Sequence, residues 1–165
     1  MRDAREKERA GCIPEAVESY ESAVTAADKA GDLTILAEVL RRLAAVCYRR
    51  NELERARSLC ERSYAVSREL GSDALAAEAV NVLGTVDLAC GRMKDARTNF
   101  GRALNLVGPD LNIRARVEGN LGILAQVEGD FDAALAHYHR ALDASRGAND
   151  EHSCAIAYVN LGITA

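Results

Sequence analysis

Asn120 and Asn160 stand 40 residues apart, each directly before a Leu-Gly pair. Asparagine is a mediocre helix former, and its amide both donates and accepts, so this pair can hold a peptide backbone or, more plainly, bond a neighbouring helix. Arg41, Arg42, Arg49 and Arg50, extended by Arg55 and Arg57, form a basic cluster, and guanidinium forks suit carboxylates and phosphates. Glu52, Glu54 and Glu61 are near enough in sequence to neutralise it. His137 and His139 are two apart, on different sides of a helix, and His152 lies further on; ligands at i, i+4 are missing, so no metal is expected. Cysteines at 12, 47, 60, 90 and 154 are odd in number and form no CxxC pair. That pattern predicts reduced thiols in a cytoplasm, with Cys47 and Cys60 as small buried hydrophobes on inward phases. No Gly-rich phosphate loop, nucleophile elbow or Ser/His/Asp arrangement occurs, so neither an enzyme nor a cofactor is expected.

The elements that position these residues follow from composition and periodicity. The chain has 165 residues, a net charge of −4, 48% hydrophobic and 28% charged residues. This is the balance of an ordinary folded domain, not of a disordered or collagen-like chain. A negative total argues against a nucleic-acid partner. No apolar run reaches a membrane span, and the opening MRDAREKERAG is too charged for a signal peptide.

One pattern then recurs. An alanine is followed four residues later by a bulkier residue at Ala16/Tyr20, Ala56/Cys60, Ala96/Phe100 and Ala134/Tyr138, with the alanines 40, 40 and 38 residues apart. A second landmark keeps step: Leu43-Ala44, Leu83-Gly84, Leu121-Gly122 and Leu161-Gly162. Each period carries two apolar stripes of helical spacing. The spacing predicts helices over 1–10, 14–30, 33–50, 53–70, 73–90, 93–107, 111–128, 131–146 and 151–165, and no strands. Gly31-Asp32, Gly71-Ser72, Gly108-Pro109-Asp110 and the run from Gly147 to Asp150 pair a helix stop with a helix cap. Glycine inside a helix costs about 0.5–1 kcal/mol against alanine. Its return at one phase implies that a neighbouring helix comes too close for a side chain, with the bulky residue after each alanine filling the gap between hairpins.

These landmarks resemble the tetratricopeptide repeat, whose pattern sets Leu-Gly in a first helix and A-x3-F in a second. Leu83-Gly84 with Ala96-x3-Phe100 and Leu121-Gly122 with Ala134-x3-Tyr138 match best; Leu43-Ala44 with Ala56-x3-Cys60 is looser, and residues 1–10 are polar where the pair should fall. The period is about six residues longer than the usual 34. It is similar to that of kinesin light chains, Leu-Gly-Asn-repeat scaffolds, bacterial pheromone receptors and bacterial transcription activators. The resemblance implies an all-α, right-handed superhelical solenoid of antiparallel helix hairpins. It forms a single domain over 1–165, with repeats at 1–31, 32–71, 72–108, 109–148 and 149–165.

First helices in such solenoids line a concave groove. Carried over by phase, that groove holds Glu38, Arg41, Arg42, Tyr48 and Arg49, then Glu78, Asn81, Thr85 and Leu88. Arg116, Asn120, Ile123 and Gln126 follow, then Ile156, Val159, Asn160 and Ile163. In relatives, asparagines at the phase of Asn120 and Asn160 often clamp an extended peptide; Asn81 falls one residue early. The family's carboxylate clamp is absent, because Arg41 is followed by Ala45 at the second position. The expected function is capture of a protein or peptide segment, acidic toward the first half of the groove and apolar toward the second. The alternative is a sensory or oligomerising segment of a larger bacterial regulator. The last helix is apolar on nearly every side and lacks a polar cap, so the chain is expected to be a fragment or to pair with another copy through that helix.

Overall fold

The computed structural model describes residues 2–165. Among them are nine helices and no strand: α1 (Arg2–Arg9), α2 (Ile13–Ala30), α3 (Leu33–Arg49), α4 (Leu53–Glu69), α5 (Asp73–Ala89), α6 (Met93–Leu106), α7 (Leu111–Val127), α8 (Phe131–Gly147) and α9 (Glu151–Thr164). Side chains of Asp32, Ser72, Asp110, Asp130 and Asp150 each accept a backbone N–H three residues on, capping α3, α5, α7, α8 and α9. Such a cap contributes about 1 kcal/mol. The left-handed turn residue before α9 is Asn149, not Gly147. Gly147 stays in α8, where a Cβ would lie 2.8 Å from Leu111 Cδ1.

Consecutive helices pack as antiparallel hairpins, α3 on α4, α5 on α6 and α7 on α8. Between hairpins the first helices approach one another, α3 to α5, α5 to α7 and α7 to α9, whereas α4, α6 and α8 do not. The solenoid therefore curves with α3, α5, α7 and α9 on its inner side. Hydrophobic residues of both helix sets fill the layer between them, Leu40, Val46, Val80, Phe100, Val117 and Leu124 being essentially inaccessible.

The repeated glycines have a definite neighbour. A Cβ on Gly84 would lie 2.6 Å from Phe100 Cε1, and one on Gly122 would lie 2.6 Å from Tyr138 Cδ1. The aromatic ring itself, from the second helix of the same hairpin, takes the space; it does not fill a gap between hairpins. In the α3/α4 hairpin the same two positions hold Ala44 and Cys60, a larger floor with a smaller plug, both fully buried. Gly162 has nothing within 4 Å of its would-be Cβ.

Two carboxylates, Asp87 and Glu118, are buried in this scaffold, Glu118 of α7 accepting from Arg140 Nε of α8 at 3.0 Å. The Asp87 carboxylate is fully enclosed between α4, α5 and α6, accepting from Arg57 Nη1 at 2.8 Å, Arg92 Nε at 3.1 Å and Asn99 Nδ2 at 2.8 Å. A buried carboxylate needs such partners, and losing one would cost several kcal/mol, roughly 3–5.

Candidate functional site

The inner face divides into a charged half and an amide-lined half. In the first, carboxylates of α3 and α5 are shared between helices. Glu38 accepts from Arg42 Nε at 3.1 Å and from Arg5 of α1. Glu78 bridges Arg41 of α3, at 3.0 Å, and Arg116 of α7. Arg49 pairs with Glu8, which also accepts from the Tyr20 hydroxyl at 2.6 Å. Burial acts against the Glu8 carboxylate, but these two donors outweigh it and hold Glu8 below the usual range. Burial also pushes the Tyr20 phenol up to about 12, assisted by Glu8. Arg41 is the most enclosed of the ion-paired arginines, its side chain 11% exposed. Burial lowers its pKa despite Glu78, and its Nε has no acceptor among the described residues. Arg41, Arg42 and Arg116 thus share two carboxylates with Arg5, leaving this part of the face positive.

In the second half, Asn120 Nδ2 donates to Asn81 Oδ1 at 2.9 Å and to Thr85 Oγ1 at 3.3 Å, tying α7 to α5. Thr85 in turn donates to the Asn81 carbonyl at 3.2 Å. Asn81, one residue early by sequence phase, therefore stands directly against Asn120. Asn160, half-buried on α9, makes no side-chain hydrogen bond among the described residues. Next to it lies a pocket of ≈ 220 Å³ between α7, α8 and α9. Of the predicted residues, Asn81, Arg116, Asn120, Ile123, Ile156 and Asn160 line it; Arg41, Arg42, Tyr48, Arg49 and Gln126 do not. Gln126 has a structural use, its Oε1 accepting from the Tyr138 hydroxyl at 3.0 Å, which fixes the ring over Gly122. Tyr48 packs its ring on the core around Val46 and Ala56.

Sequence reasoning missed Gly119, Ala141, Ser145 and Ser153 as pocket walls. Gly119 stands at no repeated phase, and Ala141 and Ser145 belong to a second helix, so a search confined to first-helix phases passes over them.

Cys47 and Cys60 are packing groups: burial raises Cys47 to about 11 and Cys60 to about 12, far from a reactive thiolate at neutral pH. Among the described residues no cluster of three or more His, Cys, Asp or Glu could hold a metal ion, and no helix is long and apolar enough to cross a membrane.

Comparison with known proteins agrees with the geometry. Solved structures that share the fold include the following two. BtubC (BKLC) from P. vanneervenii is 22% identical with a TM-score of 0.79, the match covering 98% of this chain and 68% of that one. The apo form of RapI is 14% identical with a TM-score of 0.76, the match covering 98% of this chain and 46% of that one. The chain thus spans about two thirds of the first and less than half of the second. No curated protein sequence matches significantly. The tetratricopeptide repeat model matches residues 35–108 and 113–165, which is most of the chain. With hairpins closed by glycine–ring contacts and a sequence match of that extent, the chain belongs to the tetratricopeptide repeat family.

Proposed function

We propose that this tetratricopeptide-repeat module captures an extended segment of a partner protein along α3, α5, α7 and α9. The observation that carries this reading is the free Asn160 amide beside an open apolar pocket, in line with the Asn81–Asn120 pair. An inner-face amide without a partner has donors and an acceptor to offer a peptide main chain. The chain's net charge is −4 and its positive patch is confined to a few arginines around Glu38 and Glu78, so the partner proposed is a protein or peptide in the cytoplasm, not a nucleic acid or a membrane. Replacing Asn120 and Asn160 together by alanine tests this against a partner captured by the intact chain. Calorimetry should show at least about tenfold weaker binding, two hydrogen bonds at about 1 kcal/mol each, with helicity unchanged. Undiminished affinity would remove the asparagines from the site.

A second reading, self-association or a sensory role within a larger regulator, is favoured by α9 alone. Ile156, Tyr158, Val159 and Ile163 are 49–70% exposed there, and Gly162 is uncovered. Sedimentation velocity decides it: a concentration-dependent dimer that Val159→Glu dissolves supports pairing through α9, and a monomer at all concentrations opposes it.

A further inference from the structure

Gly119 behaves unlike the packing glycines. It lies in the middle of α7, where glycine weakens the helix, yet a Cβ there would meet nothing within 4 Å. Neither a tight turn nor a packed neighbour demands it. It faces the pocket between α7, α8 and α9, and the space that it leaves open is the pocket's own.

The polar groups around that space are mostly spent. Ser145 Oγ donates to the Ala141 carbonyl at 2.8 Å, Ser153 Oγ to Asp150 Oδ2 at 2.6 Å, and Asn120 Nδ2 to Asn81. What remains toward the cavity is apolar, chiefly from Ala115, Ile123, Ala141 and Ile156. Its ≈ 220 Å³ is below the roughly 300–1,000 Å³ of whole small-molecule sites. It exceeds the ~150 Å³ that suffices for a benzene ring in a dry cavity. That size fits one side chain. Arg116 stands at the rim, its side chain 44% exposed, on the side where three guanidiniums share two carboxylates with Arg5.

Resting on the groove reading above, we propose that the pocket over Gly119 seats one leucine- or phenylalanine-sized side chain of the bound segment, flanked by an acidic residue of that segment facing Arg116. The missing side chain at 119 is the doorway, and the positive rim selects the neighbour of the seated residue.

The test uses the full chain and three acetylated, amidated pentapeptides: Glu-Glu-Leu-Glu-Glu, its alanine counterpart Glu-Glu-Ala-Glu-Glu, and the neutral Gln-Gln-Leu-Gln-Gln. Affinities come from amide NMR titration. The acidic leucine peptide should bind about tenfold tighter than the alanine peptide, the return on burying a leucine side chain. It should also bind several-fold tighter than the neutral one, with that margin shrinking as salt rises. Gly119→Leu, which fills the doorway, should reduce the leucine-over-alanine preference to less than twofold. Gly119→Ala, which adds one methyl into open space, keeps the fold and should reduce it in part. If leucine and alanine peptides bind alike while both shift Asn120 and Asn160, or if the preference survives both substitutions, the pocket inference fails and the groove reading stands. Equal binding of acidic and neutral peptides removes the rim's role. Shifts confined to other faces, or none at all, overturn the pocket and the groove reading together.

Discussion

The α3/α4 hairpin and the α7/α8 hairpin are built on one plan and differ at the same two positions. Ala44 meets Cys60 in the first, and Gly122 meets Tyr138 in the second. Volume is traded across the contact: where the floor gains a methyl the plug loses a ring. The inner faces differ in parallel. Beside α3, carboxylates and guanidiniums are paired helix to helix, while beside α7 the wall is amide and apolar and opens into a pocket. Packing within each hairpin is therefore maintained by compensation, which leaves inner-face residues free to vary from repeat to repeat.

The largest effects come from breaking that contact. Tyr138→Ala, emptying a fully buried ring site and orphaning the Gln126 amide, should cost about 3–5 kcal/mol in urea unfolding. Gly122→Ala forces a methyl into the same ring and should cost about 1–3 kcal/mol. Gly162→Ala, at the equivalent phase but with open space around it, should cost nothing and can raise stability by up to about 1 kcal/mol. Equal penalties at 122 and 162 would mean that the glycine is kept for a reason other than the ring.

A smaller effect separates the two ends by pH. Glu8, held below its usual range, ties α1 to α2 through Tyr20 and to α3 through Arg49. A depressed carboxylate stabilises the fold above its unfolded pKa, about 4.3. That contribution is lost as pH falls through the lower folded value. Between pH 5 and pH 3, hydrogen exchange in α1 and the start of α2 should accelerate relative to α7 and α8, which the uncharged Gly122–Tyr138 contact holds in addition to the pairing of Glu118 with Arg140. Uniform acceleration along the chain would dissociate Glu8 from the anchoring of α1.

Much of this was legible because stacking forces identical phases. The Leu-Gly or Leu-Ala pair and the alanine with a bulkier residue four positions on recur wherever a first helix meets the second helix of its own hairpin, so period and helix bounds follow from spacing. The mate of each glycine was misplaced: spacing reveals that something comes close, but not whether it is backbone or ring. The arginine cluster was only half legible. Arg42 meets Glu38 one turn back on α3, a local pair, but the counterion of Arg41 is Glu78 of the neighbouring first helix, more than 30 residues on and beyond any local pairing rule. Asn81 was discounted by one residue of phase, a displacement that the reach of its side chain covers. Gly119 could not be read at all, since its meaning is the space left by α8 and α9 around it.

The claim that the inner face at α7 and α9 is the recognition surface is tested most directly by an amide perturbation map of the full chain with the acidic leucine peptide. The account predicts the largest shifts at Gly119, Asn120, Ile123, Ile156 and Asn160, with Gly101 on α6 unmoved. Shifts centred on α4 and α6, with α7 and α9 silent, would contradict it.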